Sequence, residues 1–224
     1  MKVKNNFSDI LTEKSLLLPN KVYCHKINGR EITFLELEQY VNKCCRFFEE
    51  RGIVFGDVLT ISVPNSISFI IFYMAGIRSG IKVNPCPSTL SENELIKNIN
   101  FVESKLLITQ KLIDTDIISD NCSYLKFNDD DDFLLQLENY KDGKYEQKIC
   151  SDDIACIYYS SGTTGNTKSV LYSHKNMLSL TKSIVNDFQF LSESIHLGVL
   201  PLGHTAITNY QLLPSLYAGS TLFL

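Results

Sequence analysis

The chain has 224 residues, 44% of them hydrophobic and 21% charged, with a net charge of -4. A chain of that length can bury roughly 70% of its unfolded surface in a core, and its scattered Lys and Arg residues form no basic stripe, which argues against nucleic acid or an anionic membrane as partner. The N-terminus lacks the apolar core of a signal peptide, and the apolar run 67–77 is too short to be a transmembrane segment.

Thr33 and Glu36 have capping-box spacing, and Phe34, Leu37, Val41, Cys44 and Phe48 recur at helical intervals until Gly52 offers a stop. Residues 57–63 read as the first core strand. Pro64, Asn65 and Ser66 then turn the chain into an apolar helix, expected to be buried, that ends near Gly80. Residues 81–86 read as the next strand. Ser91 and Glu94 repeat the capping-box spacing and open a helix over 92–102, after which 105–109 returns as a strand. This alternation predicts an α/β fold of mainly parallel sheets flanked by helices.

Residues 129–152 are polar, open with Asp129, Asp130, Asp131 and Asp132, and show no clear period. Four carboxylates could attract a divalent cation, but the spacing of a calcium loop is absent, so the stretch reads as a solvated linker. It divides an N-terminal lobe, 1–128, from a second lobe, 153–224. Seven cysteines, with no CxxC spacing and mostly apolar neighbours, point to a reduced, cytoplasmic compartment.

Residues 154–159 are apolar and rich in β-formers, as a buried strand should be. The loop that follows holds Ser160, Ser161, Gly162, Thr163, Thr164 and Gly165, with Lys168 just beyond. Glycines let backbone N–H groups approach a ligand, hydroxyls donate, and one ammonium adds charge, which together suit a phosphate. Taken singly, these residue types would mark an ordinary surface turn. The Walker A spacing fails at Thr167, so an ordinary P-loop kinase or GTPase is not indicated. Ser173 is a helix N-cap candidate that makes His174 structural, and read alone His204 is a histidine held at a strand end by hydrogen bonds. Residues 219–224 end on an apolar, β-prone run expected to be buried in a sheet.

SSGTTG followed by Lys168, a hydrophobic strand and Ser173-His174 resembles the nucleotide-binding signature of AMP-forming adenylating enzymes, which include acyl-CoA synthetases, luciferases and peptide-synthetase adenylation domains. Residues 32–66, 72–95 and 201–224 resemble further stretches of that family, and the likeness is weakest over 114–152. The resemblance implies the incomplete N-terminal part of the family's large domain, with 153–224 as its nucleotide-loop lobe. It implies an ATP- and Mg2+-dependent ligase that adenylates a small-molecule carboxylic acid and passes the acyl group to a thiol of CoA or a carrier protein. The loop from Ser160 to Gly165 would hold ATP phosphates, with Thr164 sharing the metal. Lys168 would neutralise the departing pyrophosphate, making it and Thr164 the catalytic pair, and His204 would lie near the acid's carboxylate.

No aspartate stands near His204 to pair with an amino-acid ammonium, which tilts the implied substrate toward an organic or fatty acid. The family's acidic metal motif, ribose-binding aspartate and terminal-domain lysine are missing from these residues. A truncation, fragment or split enzyme is therefore expected, inactive unless a downstream polypeptide completes the domain. The alternative is a non-catalytic remnant or interaction module that keeps the fold and weak nucleotide binding. The chain also departs from the family's pattern: Thr167 and Ser169 flank Lys168 where proline and glycine are usual, and Gly203 replaces an aromatic before His204.

Overall fold

The computed structural model describes residues 6–26, 29–160 and 168–224. In chain order these form α1 (Asp9–Leu17), β1 (Val22–His25), β2 (Glu31–Thr33), α2 (Phe34–Glu50), β3 (Val58–Ser62), α3 (Ile67–Ser79), β4 (Lys82–Pro85), α4 (Glu92–Phe101) and β5 (Leu106–Thr109). They continue with β6 (Ser123–Lys126), α5 (Asp130–Leu137), β7 (Ile154–Ser160), β8 (Lys168–Ser173), α6 (His174–Asp187), β9 (Ile195–Leu197), α7 (Thr205–Ile207), α8 (Leu213–Ala218) and β10 (Thr221–Phe223).

Two sheets result, one ordered β2-β1-β10-β9 and the other β6-β5-β3-β4-β7-β8. In the larger sheet every pairing is parallel except the last, where β8 folds back on β7. The predicted α/β class and mainly parallel sheets are observed. Both expected capping boxes are present, with Glu36 N–H donating to Thr33 Oγ1 at 3.2 Å and Glu94 N–H to Ser91 Oγ at 3.3 Å. The apolar run at 219–224 supplies β10, which lies between β1 and β9 and runs parallel to both.

Every residue of α3 is buried, as its all-round apolar sequence requires. Burial obliges its terminal amides and its guanidinium to find partners inside the protein. At the N-terminus Ser66 caps Phe69 N–H at 3.1 Å, and Asp130 accepts from Ser68 N–H at 2.9 Å while pairing with Lys26 at 3.0 Å. At the other end Arg78 meets Glu38 at 2.7 Å and donates to Asn42 Oδ1 at 2.7 Å and Thr12 Oγ1 at 3.1 Å.

The beginning of the stretch expected as solvated linker is therefore different in the structure. Asp129 caps α5, whose Phe133, Leu134 and Leu137 are buried against α2 and α3. The second acid of the run, Asp130, is buried because it serves the amide ends of α3; Asp131 stays in solvent. Asp130→Ala should cost about 2 kcal/mol in a denaturant titration, from the lost cap and the stranded Lys26, whereas Asp131→Ala should stay within about 0.5 kcal/mol.

His174 begins α6 with its ring buried and Nδ1 accepting from Phe7 N–H at 3.1 Å. That structural role agrees with the sequence. Burial pulls its pKa down to about 4 from 6.5. The folded state keeps a neutral ring where the unfolded chain binds a proton, so this contribution is full above pH 6.5 and is lost as pH falls toward 4, by roughly 3 kcal/mol. His174→Asn keeps an acceptor for Phe7 without titrating. Its urea midpoint should fall less steeply than the parent's across that pH window.

Candidate functional site

The β7–β8 hairpin carries the candidate loop. Its register runs from Ile154↔Ser173 to Ser160↔Lys168, so β7 delivers the loop to the carboxyl edge of the larger sheet, where open α/β sheets bind ligands. Ser161, Gly162, Thr163, Thr164 and Gly165 lie outside the described residues. Lys168 opens β8 and is exposed. Directly opposed residues share a sheet face. Lys168, Val170 and Tyr172 thus lie on the hairpin face that also carries Tyr158.

That face lines a cavity of about 400 Å³ whose other wall includes His204, Asn209 and Tyr210. Lys168 stands two residues beyond Val170 on the same face, about 7 Å further along the strand. His204 lines this cavity and Lys168 does not. A larger cavity, about 760 Å³, lies at the opposite, amino ends of β3, β4 and β5 beside Val58, Lys82 and Lys105. None of its lining residues belongs to β7 or β8.

His204 is exposed and acts as N-cap of α7, its Nδ1 accepting from Ala206 N–H at 3.2 Å. The helix then widens into a π-turn over Thr208–Leu212, a local distortion often found at functional sites. Asn209 is buried there while Tyr210 is half exposed. Tyr158 OH donates to Asn209 Oδ1 at 3.5 Å and lies 3.0 Å from Tyr73 OH, which in turn lies 3.0 Å from Cys156 Sγ. Burial raises the pKa of both tyrosines well above 10, so they act as neutral hydroxyls. Burial also pushes the thiols of Cys24, Cys45, Cys86 and Cys156 up to about 12, which leaves them protonated at neutral pH.

The sequence pointed to Lys168 and His204 but not to Tyr158, Tyr172, Asn209 or Tyr210. The tyrosines alternate in strands and read as core; a period-two pairing of residues 158 and 172 across a hairpin was the available signal.

The AMP-binding enzyme profile matches residues 13–224. The chain belongs to the AMP-binding enzyme family. It is 29% identical over 210 residues to 4-coumarate–CoA ligase 1 of Petroselinum crispum and 28% identical over 173 residues to peroxisomal OPC-8:0-CoA ligase 1 of Arabidopsis thaliana. Those matches cover 88% and 71% of this chain but 38% and 31% of the relatives, so the chain spans well under half the length of the curated proteins it matches. Among solved structures, apo MatB from Rhodopseudomonas palustris superposes with a TM-score of 0.86 at 21% identity, covering 99% of this chain and 45% of that one. The Klebsiella oxytoca NpsA N-terminal subdomain in complex with 3-hydroxybenzoyl-AMSN gives 0.84 at 21% identity, covering 98% and 53%. At these identities the structural likeness establishes the fold.

In this member of the AMP-binding family, Gly203 has a local reason. A Cβ there would lie 2.2 Å from the carbonyl oxygen of Cys86 and 2.6 Å from the nitrogen of Pro87, both backbone atoms with little room to move. Glycine lets the segment before His204 dock on the end of β4. Gly203→Ala should lower stability by about 3 kcal/mol, read as a fall in the thermal unfolding midpoint.

Proposed function

We propose that this chain is the N-terminal part of an ATP-dependent, AMP-forming acid–CoA ligase that activates an organic carboxylic acid. The family match over residues 13–224 carries this reading. The β7–β8 hairpin supports it, because the hydroxyl-rich sequence joins these two strands and their Tyr158 and Val170 line the cavity at His204. No helix among the described residues is long and apolar enough to cross a membrane. All seven thiols are free, which fits a reducing cytoplasmic setting.

In the first step a carboxylate oxygen attacks the α-phosphorus of ATP and pyrophosphate leaves, bringing anions together. Ser160, Ser161, Gly162, Thr163, Thr164 and Gly165 bind the phosphates through amides and hydroxyls. Lys168 neutralises the charge that grows on pyrophosphate, and His204 orients the acid's carboxylate. The hard oxygen donors of the loop suit magnesium, with Thr164 as the holding residue; the ion, when bound, lowers repulsion among the phosphates. The thiol of CoA then takes the acyl group and releases AMP. The 224 residues do not contain all of this machinery, and a further polypeptide region completes it.

Carboxylate-dependent exchange between ATP and pyrophosphate tests the proposal. The chain alone should show none, and activity should appear once the remaining region is supplied. In that complete protein Lys168→Ala should lower kcat about 100-fold while changing the KM for ATP much less, since its contact strengthens as pyrophosphate departs. Exchange by the isolated chain would refute the need for a completing region, and unchanged turnover would remove Lys168 from the mechanism.

A further inference from the structure

The larger cavity, at the amino ends of β3, β4 and β5, has no part in the ligase reading, and its floor follows from strand register. Val58 pairs with Lys82 on one side; on the other, Lys105 N–H donates to Val58 O at 2.8 Å, one residue before Leu106 pairs with Leu59. Lys82, Val58 and Lys105 therefore share one face of the sheet. A Cβ on Gly76 of α3 would meet Val83 and Leu59, so those two residues face α3 and the lysines, one position away, face the other side, toward α4. The lysine Cα atoms stand about 10 Å apart, two strand spacings, and a four-carbon stem on each lets both ammoniums reach one point between them.

Both lysines line this cavity of about 760 Å³, together with Asn100 near the end of α4 and Asn121. Neither ammonium has an ion-pair partner among the described residues. Two carboxylates also line the cavity. Asp57 accepts from Val54 N–H at 2.8 Å, which ties it to its own turn. Glu103 is exposed and takes φ +53° in the turn after α4, where Glu103 N–H donates to Asn100 O at 3.3 Å and Ser104 N–H to Ile99 O at 2.8 Å. Glycine is the residue that such a helix end favours, so a glutamate is held there against backbone preference. Two ammoniums in one recess focus a positive field, and a small anion with two charges offsets it better than water or chloride does. The side-chain amides of Asn100 and Asn121 add neutral donors.

We propose that this cavity binds a small dianion, a phosphate or a dicarboxylate, through the ammoniums of Lys82 and Lys105, with the carboxylate of Glu103 holding the affinity down. The site is separate from the β7–β8 loop and independent of the ligase reading.

The isotope-labelled 224-residue chain would be titrated at constant ionic strength with inorganic phosphate, with succinate and with chloride, following the amide signals of Gly56, Ser104 and Lys105 by NMR. Phosphate or succinate should shift these signals with half-saturation near about 1 mM, and chloride should not. Which of the two dianions acts tells a phosphate site from a dicarboxylate site. Lys82→Met and Lys105→Met should each weaken binding about tenfold, Lys82→Arg should keep most of it because the charge remains, and Glu103→Gln should tighten it about twofold. No saturable shift, equal shifts with chloride, or unchanged affinity in both methionine variants would overturn the proposal. Binding lost in Lys168→Ala but kept in the methionine variants would put the anion at the hairpin and overturn it as well. Each of these failures leaves the ligase reading to its own test by pyrophosphate exchange.

Discussion

The fold depends on burying α3 on every side. A helix so placed cannot leave its terminal amides or its one guanidinium to water, so each end must be met by groups from elsewhere in the chain. Asp130 and Ser66 serve the first turn, with Lys26 neutralising the aspartate. Arg78 in the last turn gathers Glu38 and Asn42 from α2, and Ser8 and Thr12 from the N-terminal segment. Asp130 and the partners of Arg78 lie from 36 to 70 residues away in sequence. Satisfying one apolar helix therefore fixes where α1, α2 and α5 sit, beyond what packing alone would specify.

With α3 in place, the strand order follows and assembles the site. The chain lays β4 on one side of β3, β5 and β6 on the other, and then returns to put β7 beside β4. Segments leaving the carboxyl ends of several strands converge as a result. Asn65, just after β3, donates to Leu200 O at 2.9 Å and accepts from Leu202 N–H at 2.6 Å. Gly203 packs on Cys86 and Pro87 just after β4. The stretch leading to His204 is thereby fastened to the larger sheet although it leaves β9 of the smaller one.

Local signals carried much of this into the sequence. The capping boxes at Thr33 and Ser91 and the period of α2 are short-range features, and the structure keeps them. The strands at 57–63, 81–86 and 105–109 appear within a residue or two of those bounds. What stayed hidden depends on distant partners. Four successive aspartates look solvated because charge prefers water, and only the buried amides of α3 give one of them a reason to leave it. β1, β2 and β9 are three or four residues long, too short to show a period. Lys168 and His204 could be named because their neighbours form a recognisable motif. Tyr158, Tyr172 and Tyr210 could not, since an aromatic lining a cavity and one filling a core have the same local sequence.

The cavity itself has two unlike walls. Its inner wall continues the core, because Tyr158 is tied to Tyr73 on α3 and to Asn209 in the π-turn, and all three are buried. Its outer wall is β8, the edge strand, where Val170 and Leu171 are both exposed although successive strand residues face opposite sides. A strand exposed on both faces and paired on one edge has few buried contacts to lose, so opening there costs less than at β7. The cavity's inner wall is thus set by residues that the global fold holds, while its outer wall belongs to the strand that begins at Lys168.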